Sequence, residues 1–96
     1  MTKQDIINQV SSRASLSRVK AEEAVETVIE LIKESLGHGE PVILRRFGTF
    51  QVRAKSKRVG RNPKTGEDVT ISSRRVVTFR AGQKLKSRVE NNAFSE

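Results

Sequence analysis

The residues with the clearest chemical potential in this chain are cations placed around a turn-forming loop. Residues 60–66 read Gly-Arg-Asn-Pro-Lys-Thr-Gly, and Arg58, Arg61 and Lys64 crowd this short segment. Asn62 and Pro63 favour a turn, and a closing glycine supplies a left-handed residue. Strand-like, strongly basic runs flank the loop and contain too few apolar residues to fold alone in water. The pattern predicts a β-arm at about residues 53–77 that is built for a grooved polyanion.

The tip of the predicted arm, residues 60–66, carries one rigid apolar side chain, Pro63. A turn alone explains the proline, but it does not explain why cations that repel one another are concentrated beside it. Proteins that bind the DNA minor groove insert apolar wedges between base pairs while Arg or Lys line the groove. We therefore interpret the tip as a turn that also presents a wedge.

Catalytic and metal-binding chemistry has little support in the sequence. The chain has no Cys, and its one histidine, His38, lies between two glycines in a predicted turn. These features exclude a thiolate metal site and a cysteine nucleophile, and no catalytic triad or phosphate-cradling glycine motif is present. We expect a non-enzymatic binding protein without a cofactor or a small-molecule substrate.

The net positive charge lies in the second part of the chain. The formal net charge is +8 over 96 residues, with five basic and seven acidic side chains in residues 1–40, and fourteen basic and four acidic side chains in residues 41–96. Segregation of charge on this scale favours nucleic acid or an anionic surface as the partner. No apolar run approaches the ~20 residues of a membrane span, and no signal peptide is recognisable, so we expect a cytoplasmic protein.

Helix signals dominate the first forty residues, within a single predicted domain at residues 1–96. Thr2 with Asp5 forms a capping-box pattern for a first helix that stops near residues 14–15, and Ser17 caps a second helix. The second helix is predicted from Arg18 to Leu36, with Gly37 as the residue that ends it. A short apolar strand, the two limbs of the arm and a short helix after Gly82 follow, which gives an α+β fold with a three-stranded antiparallel sheet.

The second helix has an apolar arc of roughly 160°, which includes Val28 and Ile32. One small partner helix does not need an arc this wide. The strands of the same chain could cover it, or a second copy of the chain could do so. Because small chains often complete their cores by oligomerisation, we predict a dimer.

Taken together, these motifs resemble the bacterial HU / integration host factor family of histone-like DNA-bending proteins. The resemblance rests on the two N-terminal helices, Phe47-Gly48-Thr49-Phe50, the Arg-Asn-Pro-x-Thr-Gly tip, Phe79 and the final helix that starts Gly82-Gln83-Lys84. It implies an intertwined dimer whose β-arms wrap DNA through the minor groove, in the bacterial nucleoid. Within this family, residues 74–91 look more like the alpha subunit of integration host factor than like HU, although Ala81 stands where that subunit usually has Pro.

The resemblance also implies roles for individual residues. Near the tip, Pro63 intercalates, and the contacts to groove and backbone are made by Arg58, Arg61, Asn62, Lys64 and Thr65. The positive rails of the arm are Arg53, Lys55, Lys57, Arg74, Arg75 and Arg80. Phosphates along the body are held by Lys3, Arg46, Lys84 and Lys86. The aromatic core at the dimer interface consists of Phe47, Phe50 and Phe79.

The sequence therefore predicts an architectural protein that bends double-stranded DNA, as a homodimer or with a related subunit, in DNA condensation, recombination or transcription regulation. A basic RNA-binding or ribosome-associated protein is the alternative that the charge supports equally. The absence of spare aromatic side chains for base stacking argues against RNA. The absence of an amphipathic apolar face on the arm argues against an anionic membrane.

Overall fold

The computed structural model describes residues 1–56, 58–71 and 73–93. Three helices and five strands follow one another in the order α1 (Lys3–Arg13), α2 (Arg18–Gly37), β1 (Val42–Leu44), β2 (Gly48–Lys55), β3 (Arg58–Arg61), β4 (Asp68–Ile71), β5 (Arg74–Ala81) and α3 (Gln83–Ala93). The predicted α+β fold is confirmed. The longest dimension of the molecule is 58 Å.

Local capping chemistry sets the start of the first two helices. At α1 the Thr2 hydroxyl accepts a hydrogen bond from the backbone N–H of Asp5 (3.2 Å), and the Asp5 carboxylate accepts one from the Thr2 N–H (2.9 Å). This reciprocal pair satisfies two N–H groups that have no partner within the helix. Ser17 caps α2 by accepting from the backbone N–H of Lys20 (3.2 Å). Both predicted caps are confirmed.

The end of α2 differs from the prediction. Gly37 is the last helical residue, and the residue with left-handed backbone is Gly39, at φ 80°. The Gly39 N–H donates to Leu36 O (2.9 Å), and the Glu40 N–H donates to Ser35 O (3.0 Å). These two bonds form a Schellman motif, so Gly37 belongs to the helix, and the left-handed residue that ends it comes two positions later than predicted.

The strands form two separate antiparallel sheets. A three-stranded sheet has the order β1-β2-β5, and a two-stranded sheet pairs β3 with β4. β2 ends at Lys55 and β3 begins at Arg58. Lys55 lies opposite Arg74 and Arg58 lies opposite Ile71, so β3 and β4 continue the register of the β2–β5 ladder, as expected for one arm. The arm thus has a base, the β2–β5 ladder, and a distal hairpin, β3–β4.

The apolar core of the single chain is very small. Among the described residues, only Ile7, Ala21 and Val25 of the apolar set are buried, and they lie between α1 and α2. By contrast, large apolar side chains of α2 remain open to solvent, including Val28 at 56% and Leu31 at 58% exposure. A core of this size is marginal for an isolated domain, and the open face is where additional burial is available.

Candidate nucleic-acid interface

The tip of the arm is an ordered turn built around Asn62. Its side-chain oxygen accepts from the Lys64 N–H (2.9 Å), its backbone N–H donates to Glu67 O (2.8 Å) and its carbonyl accepts from the Gly66 N–H (2.7 Å). Gly66 has φ 73°, the left-handed conformation that the sequence predicted for it. Pro63 lies exposed at the apex, between these bonds. The turn therefore holds the apolar ring outward without using it as packing.

The distal hairpin places opposite charges across from each other at its outer end. Arg61 pairs with Asp68 in the β3–β4 register, and both side chains are exposed. A carboxylate directly opposite a cation partly neutralises it. Of the predicted arm cations, Lys57 lies outside the described residues, and so does the side chain of Arg58.

The base of the arm sorts the remaining cations onto two faces. Residues that are opposite in an antiparallel ladder project from the same face, and the register pairs Lys55 with Arg74, Arg53 with Val76, and Thr49 with Arg80. One face of the ladder therefore carries four of the predicted cations, Arg53, Lys55, Arg74 and Arg80. We call these four residues the cationic face.

Like charges meet directly on the cationic face. Lys55 and Arg74 are cross-strand partners at the outer end of the ladder, and both are exposed. Such a pair is destabilising in the free protein. An anion between the two side chains would remove this repulsion, so the pair is better suited to the bound state than to the free state.

Arg75 does not belong to the cationic face. It pairs with Ala54, on the side of the ladder that carries Phe50 and Phe79. Its guanidinium reaches the end of α2, where a methyl group placed on Gly39 would lie 2.7 Å from Arg75 Nη2. A cation at this position complements the negative end of the helix dipole. The structure thus places Arg75 against the helical body, away from the other predicted rail residues.

The predicted phosphate contacts of the helical body do not all lie together. Lys3, on α1, forms an ion pair with Glu26 of α2, with Nζ 2.6 Å from Oε1. The hydrogen bond to Glu26 and the charge of that carboxylate raise the pKa of Lys3 above its ordinary value. Both side chains remain about half exposed, at 53% and 48%. Any phosphate contact by Lys3 must therefore compete with Glu26.

Arg46 and Lys84 come together between the β1–β2 turn and α3. They line a surface pocket of about 480 Å³ with Phe47, Leu85 and Arg88. A backbone hydrogen bond from the Gly82 N–H to Phe47 O (2.8 Å) joins the β1–β2 turn to the start of α3 and brings these residues together. Lys86 does not line this pocket. Arg88 was missed in the sequence analysis, although its i,i+4 spacing from Lys84 places both on one helix face.

The three phenylalanines form one cluster on the sheet. The rings of Phe47 and Phe79 are 5.2 Å apart, and those of Phe50 and Phe79 are 4.8 Å apart, all tilted against one another. Phe47 is 44% exposed and Phe79 is 42% exposed. On α2, Ile32 is half-buried and lies near Val28 in a second open apolar region. Every predicted dimer-core residue thus keeps accessible surface in the single chain.

None of the helices described is long and apolar enough to cross a membrane. Within residues 1–56, 58–71 and 73–93, no group of three or more His, Cys, Asp or Glu side chains is placed to hold a metal ion.

Comparison with known proteins gives consistent matches along the chain. The family model described as bacterial DNA-binding protein matches residues 1–90. The integration host factor subunit alpha of Aliivibrio fischeri strain MJ11 is 55% identical over 91 residues, which is 95% of this chain and 93% of that protein. The corresponding subunit of Halorhodospira halophila is 53% identical over 93 residues, covering 97% and 92% of the two chains.

Solved structures agree with the sequence relatives. The chain aligns with HU in an Anabaena HU–DNA cocrystal structure with a TM-score of 0.82 and 35% identity, covering 93% of this chain and 97% of that one. A mutant HU from Thermotoga maritima aligns with a TM-score of 0.69 and 26% identity, covering 93% and 99%.

Proposed function

The chain belongs to the family of bacterial DNA-binding proteins, and from this membership we propose that it is an architectural protein that binds and bends duplex DNA. The observation that carries the proposal is the arm, in which a cationic base leads to a hairpin with an exposed proline at its apex. The description of the family and the name of the Anabaena structure support DNA, rather than RNA, as the polyanion. The function requires no catalytic step, and the protein acts in the bacterial nucleoid.

The arm enters the minor groove and its tip produces the bend. The cationic face lies against the phosphates, and Arg61, Lys64 and Thr65 make contacts beside the tip, all as exposed side chains in the free protein. Pro63 inserts between base pairs as an apolar wedge, which unstacks one step and kinks the duplex. Because Asn62 already fixes the turn, the wedge needs no rearrangement before insertion.

The active unit is a dimer, formed with a second copy or with a related subunit. The open apolar surface on α2, together with the phenylalanine cluster, gives two regions that the single chain leaves uncovered. The name of the curated relatives designates a subunit. Contact between two subunits at these surfaces enlarges the apolar core, which in the described part of one chain consists of only Ile7, Ala21 and Val25 and is too small for an isolated domain.

The test is end-to-end fluorescence energy transfer on a duplex of roughly 35 base pairs, which spans several helical turns, with the purified chain alone. We expect a saturable rise in transfer and an affinity that falls steeply with salt because phosphate contacts dominate binding. Bending of random sequence by this chain alone indicates a functional homodimer. Bending only after a related subunit is added indicates a heterodimer. Binding without any bending overturns the proposal, and preferential competition by structured RNA would support the RNA alternative.

A further inference from the structure

Among the described rail residues of the arm base, Arg75 alone lies on the side of the ladder that faces the helical body. It is opposite Ala54, whereas its neighbour Arg74 is opposite Lys55 and projects from the other side, because successive side chains alternate in a strand. A β-carbon placed on Gly39 would lie 2.7 Å from Arg75 Nη2. Gly39, whose φ of 80° already favours glycine, therefore leaves the room that the guanidinium occupies.

The C-terminal end of α2 receives positive charge from the arm. The last turn of the helix contains Glu34 and no basic side chain, and Lys33 just before it is paired with Glu30, with Nζ 3.5 Å from Oε2. The carbonyl groups at a helix end carry partial negative charge, and a cation beside them is stabilising. Nδ1 of His38 lies 2.8 Å from Glu34 O, and Arg75 adds a full positive charge. The attraction links two elements that are distant in the sequence.

An open groove of about 350 Å³ separates α2 from the arm base. Leu36 and Gly37 line it from the helix, and Val52 and Val77 line it from the two strands of the ladder. Val77 remains 58% exposed. Where side chains do not interlock, close packing does not hold two elements at a fixed angle. Arg75 lines the same groove, and its guanidinium reaches the chain reversal that follows the helix.

Building on the proposed function, we propose that Arg75 is a positioning residue and not a DNA contact. It ties the arm base to the end of α2 and so sets the direction in which the arm leaves the body. Direction matters because the wedge lies at the far end of the arm. A tilt of about 10° at the base moves a tip roughly 30 Å away by about 5 Å, which exceeds the ~3.4 Å spacing of nucleotides along a strand. Loss of the tie therefore reduces bending while the phosphate contacts remain available.

The experiment compares Arg75→Gln with Arg74→Gln, the matched control, which removes the same charge from the neighbouring residue on the cationic face. Duplex binding is measured over a salt series, and fluorescence transfer at saturating protein measures the bend. Each phosphate contact contributes about 0.9 to the slope of log K against log salt, so Arg74→Gln should lower the slope by about that amount and keep the bend. Arg75→Gln should keep the wild-type slope and lower the transfer. Its affinity should fall about threefold at every salt concentration, because the arm is no longer preorganised.

Gly39→Ala tests the same tie without changing any charge. Its β-carbon takes the place of the guanidinium, so this variant should also lower the transfer and keep the salt slope. Gly37→Ala, where a β-carbon meets open space, should leave the transfer unchanged. Because Arg75→Gln and Gly39→Ala break one tie, their double variant should lose no more transfer than the more affected single variant. Circular dichroism at the assay temperature checks that each variant is folded.

Three results would overturn the positioning role of Arg75. A fall of about 0.9 in the slope for Arg75→Gln would show that this side chain contacts a phosphate. Wild-type transfer in Gly39→Ala would show that the tie does not set the bend, and additive losses in the double variant would show that the two residues act separately. A wild-type protein that does not bend duplex DNA at all refutes the proposed function instead.

Discussion

Asn62 holds the arm tip in its turn conformation. Its side chain and backbone together make three hydrogen bonds across the turn, while Pro63 at the apex stays exposed. Asn62 thus fixes the shape of the turn, and its neighbour Pro63 provides the apolar wedge. This separation allows the wedge to be removed while the hydrogen bonds that hold the turn remain available.

Pro63→Ala is therefore expected to reduce bending more than affinity. Intercalating wedges kink DNA by about 20–90°, so the variant should lose at least about 20° of bend, while phosphate contacts keep the dissociation constant within about threefold. Fluorescence transfer at saturating protein measures the bend, and a salt series measures affinity. Lys64→Ala is the companion variant, with weaker binding but a retained bend at saturation. Equal bending by Pro63→Ala and wild type would contradict the wedge.

Lys3 illustrates a cation that is already engaged in the free protein. Glu26 raises the pKa of Lys3, so the stabilising contribution of the pair is present at neutral pH and is lost as the pH rises through the raised pKa. The pair is exposed, and exposed pairs contribute little to stability. Its larger effect should be on binding, because Glu26 competes with phosphate for the ammonium group.

Glu26→Gln should consequently strengthen DNA binding severalfold at low salt, with little change in melting temperature. Titration of a labelled duplex checks the affinity. Glu23→Gln serves as the control, because it removes a carboxylate from the same helix whose partner, Lys20, is not a proposed DNA contact. If both variants gain equally, the effect comes from net charge, and Lys3 has no specific role.

At the scale of elements, the junction between α2 and the arm base depends on the glycine that ends the helix. Gly39→Ala places a side chain at φ 80° and 2.7 Å from Arg75 Nη2. We expect destabilisation by about 1–2 kcal/mol from the left-handed backbone, measured by urea unfolding. Gly37→Ala is the control: it lies in the helix with open space around it, and alanine should stabilise it by up to about 1 kcal/mol. Destabilisation by both variants would show that the Schellman motif does not end the helix as described.

The distal hairpin should be the least protected element in the absence of DNA. Among the described residues, β3 and β4 pack substantially only against each other, and an isolated two-stranded hairpin is marginally stable. Amide exchange should be fast in residues 58–61 and 68–71 and slow in α2, and DNA should slow it in the hairpin. Protection of the free hairpin equal to that of α2 would refute this expectation.

Much of this element-level organisation follows from sequence through local rules. Thr2, Asp5 and Ser17 form their capping bonds with residues three positions away, and the turn at Asn62 uses bonds within five residues. Because these bonds are local, the residue pattern was sufficient to predict both helix caps and the tip turn. The extension of α2 to Gly37 was not predictable, because either Gly37 or Gly39 can end a helix. The side of the ladder taken by Arg75 depends on the β2–β5 register, and the pocket around Arg46 depends on a contact between distant segments.

For the whole molecule, the small core makes stability and assembly inseparable. Val28→Glu places a charge in the open apolar face of α2 and should convert the assembly to a 10.8 kDa monomer that is largely unfolded. Sedimentation gives the mass, and the wild-type melting temperature should rise with concentration. Val19→Glu is the matched control, because Val19 is 73% exposed and lies about 180° away around α2. A folded Val28→Glu monomer would contradict dimer-dependent folding.

The division of the arm into a three-stranded sheet and a two-stranded sheet also bears on how such a protein can diverge. Because the distal hairpin packs substantially only on itself among the described residues, substitutions and paired insertions there leave the body and its partner surface untouched. Gene copies can thus inherit one assembly scaffold while their arms vary in reach and charge. Selection can therefore change the DNA preference of each copy while the body keeps its fold and its partner surface.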